Sequence, residues 1–329
     1  MTWEQAIEVI NISFNVMGVL AFAYVCFMLL PPILAGLAAT AYCFTNIVWF
    51  TGLVHLTNAA STFFAPGMVA CLLMGSSRFF LTACALWALG AGFRPSDGVF
   101  LLPLLIWGAF DRSWRDRITG LLIVVPLTLI WWTPTMEHFG GSLLAPIQSS
   151  ATQVSAVNEA VSPLRVGLKP QGLANLTRLA LALITSFHIL IPLALVEAFQ
   201  WDKINRMCLL WAVPGALFLA LAYMGPAPYI AYFAGGILLL AFRRCSRMPP
   251  RVAIGFSSLF IIISVAFMLT ARPVEPSTFP RRVLDAYSLQ NSAAAVRDQY
   301  FRELSELEVE AAQKGERPSG PELHGPNEP

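Results

Sequence analysis

From Val9 to Ser77 the chain carries no Asp, Glu, Lys or Arg, and His55 is the one histidine in that stretch. No soluble fold buries an uninterrupted run of that length, whereas several membrane spans in succession would. A span needs about 20 apolar residues, with a range of about 17–25. On that rule the pattern predicts helices over 10–30, 32–54, 59–75, 78–93, 97–110, 118–134, 173–199, 207–223, 227–242 and 252–270. The run 97–110 is too short to cross a bilayer alone, so it is expected to pair with 78–93 as a tight hairpin with "GFRPSDG" at its tip. The expected fold is therefore an all-α polytopic membrane protein with about ten transmembrane helices. Beyond the last span, Val296, Tyr300, Leu304 and Leu307 recur at helical spacing. Three domains follow: a transmembrane domain over 1–271 with an outer loop at 135–172, a helical tail over 272–314, and a disordered end over 315–329.

Charge sharpens the picture. Only 12% of the 329 residues are charged, about half the share usual in soluble domains. Arg78, "DRSWRDR" (111–117), "WDKINR" (201–206) and "RRCSRMPPR" (243–251) hold ten basic residues, all on one face if the spans alternate. The opposite face has only Arg94, Arg165 and Lys169 in its loops. Positive residues collect inside, so the first set is expected to be cytoplasmic. That places the "RPSD" tip, the 135–172 loop, the "GPAPY" turn (225–229) and both termini outside. The expected location is integral to a membrane.

A net charge of +2 with no basic, aromatic-interleaved patch argues against nucleic acid. The start "MTWEQAIEVINIS" has Glu4 and Glu8 in place of the basic region of a signal peptide. The six cysteines are scattered, with no metal-ligand spacing, and read as small buried hydrophobes. No P-loop, GxSxG, HExxH or GxGxxG occurs.

The candidate chemistry lies in polar features of the outer face. In "GFRPSDGVFLLP", Pro95 breaks a helix, and Ser96 or Asp97 can cap the next one. Arg94 can reach the headgroups as a snorkelling side chain or bind an anionic phosphate with its planar fork. In "WWTPTMEHFGG", Trp131 and Trp132 suit an interfacial belt. Glu137 and His138 are candidate acid–base groups or solvated loop residues, and Gly140 and Gly141 permit a close ligand approach. "AYMGPAPYIAYF" makes a rigid turn with Tyr229 at the interface. His55 lies at the same surface, as a structural or a functional histidine.

Taken in order, these stretches resemble the bacterial GT-C glycosyltransferases related to glycosyltransferase family 39 and to the dolichyl-phosphate-mannose protein mannosyltransferases. "ALGAGFRPSDGVFLLPLLIWG" (88–108) is similar to their "GxxaGfRPSdxxFLlPLwxw" hairpin. "IWWTPTMEHFGGS", "GLANLTRL" (172–179), "WAVPGALFLALAYMGPAPYIAYFAGG" (211–236) and "NIVWFTGLVHLTNAASTFFA" match further segments in the same order. The resemblance implies an inverting transferase that moves a sugar from a polyprenyl-phosphate carrier to an acceptor at the extracytoplasmic face. It points to Arg94 as the donor-phosphate ligand. His55, Asp97, Glu137, His138, Gly140, Gly141 and Tyr229 would line the site, and a divalent cation is a further candidate cofactor.

Two departures matter. The family's first span and acidic outer loop have no counterpart before Trp3, and "GPAPY" stands where "GqPGY" is usual. The catalytic residue is thus unassigned. The accounts considered are a chain missing its first segment, a partner protein supplying that piece, or a relative without activity. The alternatives to a transferase are a non-catalytic membrane subunit or lipid-binding scaffold that keeps the fold, and a transporter of lipid-linked substrates.

Overall fold

A computed structural model describes residues 3–48, 58–138, 162–167, 170–222 and 230–270, and within them every element is a helix. In chain order these are α1 (Trp3–Leu29), α2 (Pro32–Phe44), α3 (Asn58–Leu73), α4 (Ser77–Phe93), α5 (Pro95–Phe110) and α6 (Trp114–His138). Then come α7 (Pro163–Val166), α8 (Pro170–Phe187), α9 (Leu190–Ala198), α10 (Lys203–Leu221), α11 (Ala231–Ser246) and α12 (Pro250–Thr270). Five of them open on proline, whose fixed φ and missing N–H suit the first helical turn. The expected tail helix and disordered end lie outside the described residues, as does most of the 135–172 loop.

Val9–Leu29, Trp114–Pro134, Lys203–Leu221 and Pro250–Leu269 are long and apolar enough to cross a membrane, which is compatible with an integral membrane protein. On α6, Leu121, Leu122, Val125, Leu129 and Ile130 all face outward, an arrangement that water would not tolerate. The expected count of about ten spans exceeds these four. The apolar helices 32–44, 59–73, 77–93 and 95–110 are shorter; at about 1.5 Å per residue, 16 or 17 residues reach only about 24–26 Å.

Two expected spans change form. The run 32–54 is not one helix, because α2 ends at Phe44 with Thr45 extended and its hydroxyl turned back onto the Ala41 carbonyl. The run 173–199 is two helices bent by 104°. Pro192 explains the break: it has no N–H for the His188 carbonyl, and its ring clashes with that carbonyl four residues back. His188 itself adopts φ +24°, and its ring lies 4.5 Å from that of Phe260 and 3.3 Å from the Ser264 hydroxyl.

The core is centred on α11, which is buried along nearly its whole length from Ala231 to Phe242. Trp211 of α10 donates its indole N–H to the Tyr232 carbonyl at 2.6 Å. Phe22 of α1 stacks on Tyr42 of α2 at 4.4 Å. A side chain on Gly18 would strike the Thr62 backbone, so α1 and α3 approach as small-residue membrane helices do. One chain of polar groups inside this apolar packing is paired: Tyr42 donates to the Thr62 carbonyl, the Thr62 hydroxyl to Asn15, and the Asn15 amide to the Val48 carbonyl. Four of the six cysteines are buried; Cys43 is exposed and Cys71 intermediate.

Candidate functional site

The α4–α5 hairpin exists as expected, and Arg94 alone joins its two helices in an extended conformation (φ −152°, ψ 103°). Pro95 forces the turn, since the residue before a proline is pushed out of the helical region. Gly98 lets the arms close, because a Cβ there would lie 2.6 Å from that of Ala91. Trp87 clasps them further by donating its indole N–H to the Gly98 carbonyl at 2.9 Å.

The sequence offered Ser96 or Asp97 as a helix cap, and Arg94 as a snorkelling side chain or a phosphate ligand. The structure corrects the cap. The N-cap position is Arg94, with no side-chain cap bond, and Asp97 lies inside the first turn. Arg94 is 8% exposed and Asp97 2%. The Arg94 Nε lies 3.7 Å from Asp97 Oδ1, and Ser61 of α3 donates its hydroxyl to Asp97 Oδ2. Each charge helps offset the burial of the other, since an isolated ion in an apolar interior costs several kcal/mol or more.

Asp97 is 13 residues from the far end of α5 at Phe110. That is about 20 Å of helix, or about two-thirds of an apolar core about 30 Å thick. The helix between the pair and its far end is therefore shorter than such a core is thick.

Two neighbours were not foreseen. Ser61 belongs to an undistinguished "NAAST" run, and Tyr232 lies three residues beyond the Tyr229 that was singled out. Tyr232 is fully buried, stacks on Phe100 at 5.1 Å, and carries a hydroxyl with no hydrogen-bond partner. That hydroxyl fills the space left by the missing side chain of Gly215 on α10.

Of the other expected site residues, Glu137 and the His138 backbone fall among the described residues. Glu137 is exposed near the C-terminus of α6, and the His138 side chain is outside the described set although its backbone closes that helix. His55, Gly140, Gly141 and Tyr229 lie outside the described residues. Trp131, expected in an interfacial belt, is partly exposed and packs against Gly92 and Phe93, 5.3 Å from the Phe93 ring. No three His, Cys, Asp or Glu side chains converge on a metal position among the described residues.

A second buried charge cluster lies at the opposite end of α11. Glu197, with no exposed surface, meets Arg247 at 2.8 Å and Arg243 at 3.8 Å. Asn205 donates to the Glu197 carboxylate and carbonyl, both at 3.0 Å. Asp202 caps α10 through the N–H groups of Ile204 and Asn205, and also meets Arg243 at 2.5 Å. Partial burial raises the Asp202 carboxyl, but those N–H groups and the two arginines more than offset it and hold it below the ordinary value. Sequence reading counted these arginines for orientation; the geometry makes them the tie between α9, α10 and α11.

No family model, no characterised protein and no solved structure matches the chain.

Proposed function

We propose that the chain is a GT-C-type membrane glycosyltransferase, moving a sugar from a polyprenyl-phosphate donor to an acceptor at the extracytoplasmic face of a bacterial inner membrane. The observation that carries the proposal is the Arg94–Asp97 pair. It is a buried charge pair inside an apolar hairpin, and ionisable residues at membrane depth mark substrate sites by default. The ordered segments that resemble GT-C enzymes support the same reading. In it the short helices complete about ten passes together with the segments between them.

The chemistry assigned to Arg94 is exchange of partners. In the resting corner its guanidinium faces Asp97; on arrival of the donor it turns its planar fork to the lipid phosphate, which accepts two parallel hydrogen bonds. Asp97 stays anchored by the Ser61 hydroxyl. No general base is assigned, and the acceptor's activation is left to residues outside this corner or to a partner protein.

The test is binding of a polyprenyl phosphate to the purified protein in detergent. Saturation at about 100 times Kd stabilises a protein by about 2.7 kcal/mol. The wild type should gain that stabilisation and Arg94→Ala should lose most of it. Equal stabilisation of both proteins would remove the phosphate role.

A second reading is a non-catalytic membrane subunit or lipid-binding scaffold with the same fold. The proximity of Arg94 to Asp97, at 3.7 Å, favours it, since a buried ion pair can serve packing alone. Absence of lipid-linked sugar transfer by wild-type protein that co-purifies with a stable partner would select it.

A further inference from the structure

At the end of the bundle away from the Arg94 corner, two turns expose four large aromatic side chains. Phe110 and Trp114 flank the α5–α6 turn at 70% and 72% exposure, and Phe199 and Trp201 flank the α9–α10 turn at 80% and 79%. The two turns form one patch. Lys203 donates to Asp111 Oδ2 at 2.7 Å across them, and its ammonium lies 5.7 Å from the centre of the Trp107 ring.

The cations around the patch divide into two groups. Arg112 donates to the Gly75 carbonyl and covers the Phe80 ring, and Arg117 donates to the Phe110 and Arg112 carbonyls at 2.9 and 3.1 Å. Arg243 and Arg247 are held by Glu197 and Asp202. Arg115 and Arg206 are exposed, with no side-chain partner among the described residues.

Four exposed rings of this size form an apolar patch that a monomer does not leave in water. All four sit where apolar helices end, the level at which aromatic residues meet lipid headgroups. The free charges beside them are positive, which complements an acidic headgroup.

We propose that this patch is a binding surface for anionic phospholipid, with Phe110, Trp114, Phe199 and Trp201 seated in the headgroup–acyl boundary and Arg115 and Arg206 holding the acidic headgroups. The inference rests on the membrane reading alone and stands or falls independently of sugar transfer. It also fixes this end of the bundle against the leaflet whose acidic lipids attract basic segments, the cytoplasmic one.

The full chain is placed in nanodiscs of phosphatidylcholine with or without phosphatidylglycerol, using acyl chains brominated near the headgroup. Trp114→Phe and Trp201→Phe should each remove part of the bromine-quenched tryptophan emission. In native mass spectrometry, Arg115→Gln with Arg206→Gln should weaken the preference for phosphatidylglycerol by about fivefold per cation removed. The unfolding midpoint should stay unchanged, because both side chains are exposed. Unquenched Trp114 and Trp201 would overturn the proposal, as would a wild-type lipid preference in the double variant. A co-purifying protein that shields both tryptophans from the bromines would assign the patch to that partner instead.

Discussion

The closure of the hairpin that carries Arg94 rests on room for one methyl group, and this can be tested by moving that methyl. At the α4–α5 contact, Ala91 faces Gly98, and a Cβ on Gly98 would come within 2.6 Å of the Ala91 Cβ. Once Ala91 is a glycine, the next obstacle is the Ala91 Cα at 3.3 Å, a tight but adjustable contact. Gly98→Ala therefore adds an overpacking cost of about 1–3 kcal/mol, against a helix-propensity gain of about 1 kcal/mol. Ala91→Gly alone loses about 1 kcal/mol of propensity. In the double variant the propensity terms cancel and the clash is gone, so its stability should return close to wild type. The coupling energy of the cycle is then about 1–3 kcal/mol, and it isolates the clash because both propensity terms drop out. The assay is thermal unfolding in detergent, where about 1 kcal/mol moves the midpoint by about 1–2 °C for a chain of this size. Additive effects of the two substitutions, or a Gly98→Ala protein more stable than wild type, would show that the arms do not pack at this point.

Three further outcomes follow from the packing and charge geometry. Arg243→Ala with Arg247→Ala strands the buried Glu197 carboxylate and should cost about 3–5 kcal/mol in the same unfolding assay. Glu197→Leu should cost less, because both arginines keep Asp202 and reach water. Tyr232→Phe removes a buried hydroxyl that has no partner and should leave the midpoint unchanged or raised by up to about 1 kcal/mol; a clear loss would mean that the hydroxyl bonds to something. Asp202 is held below its ordinary value in the fold, so its stabilisation is fully present above the unfolded value of about 3.9 and fades as pH falls through the folded one. The midpoint should fall on acidification below about pH 4, and Asp202→Asn should flatten that fall; an equal slope in both proteins would contradict the assignment.

Much of the fold was legible because hydropathy in a membrane chain is nearly a direct readout of helices. Each of the ten apolar runs corresponds to at least one helix, and the short 97–110 run paired with its neighbour as expected. The misplaced boundaries have local causes that apolarity hides. Pro192 breaks the 173–199 run at His188, and Thr45 stops α2 although the residues beyond it are apolar. The candidate site was legible in its charged members and illegible in its neutral ones. Arg94 and Asp97 stand out against an apolar background. Ser61 reaches Asp97 from α3 and Tyr232 of α11 stacks on Phe100 of the same hairpin, at separations no local pattern encodes. Burial of the pair was missed for the same reason: a hairpin tip reads as exposed until the helices that cover it are known. The arginines at the end of α11 were visible as charge, but their pairing with Glu197 depends on where the 104° bend sends α9.

The central claim is that Arg94 holds the donor phosphate during sugar transfer. The most direct measurement is lipid-linked sugar transfer by purified wild-type, Arg94→Lys and Arg94→Met proteins reconstituted at equal density, with folding checked by unfolding midpoint. Loss of hydrogen bonds to a charged group is worth about 1.5–3 kcal/mol, so transfer should fall about 10- to 150-fold in Arg94→Met. Arg94→Lys should be intermediate, because an ammonium keeps the charge and loses the fork. Transfer by Arg94→Met at the wild-type rate, in a folded protein, would contradict the account.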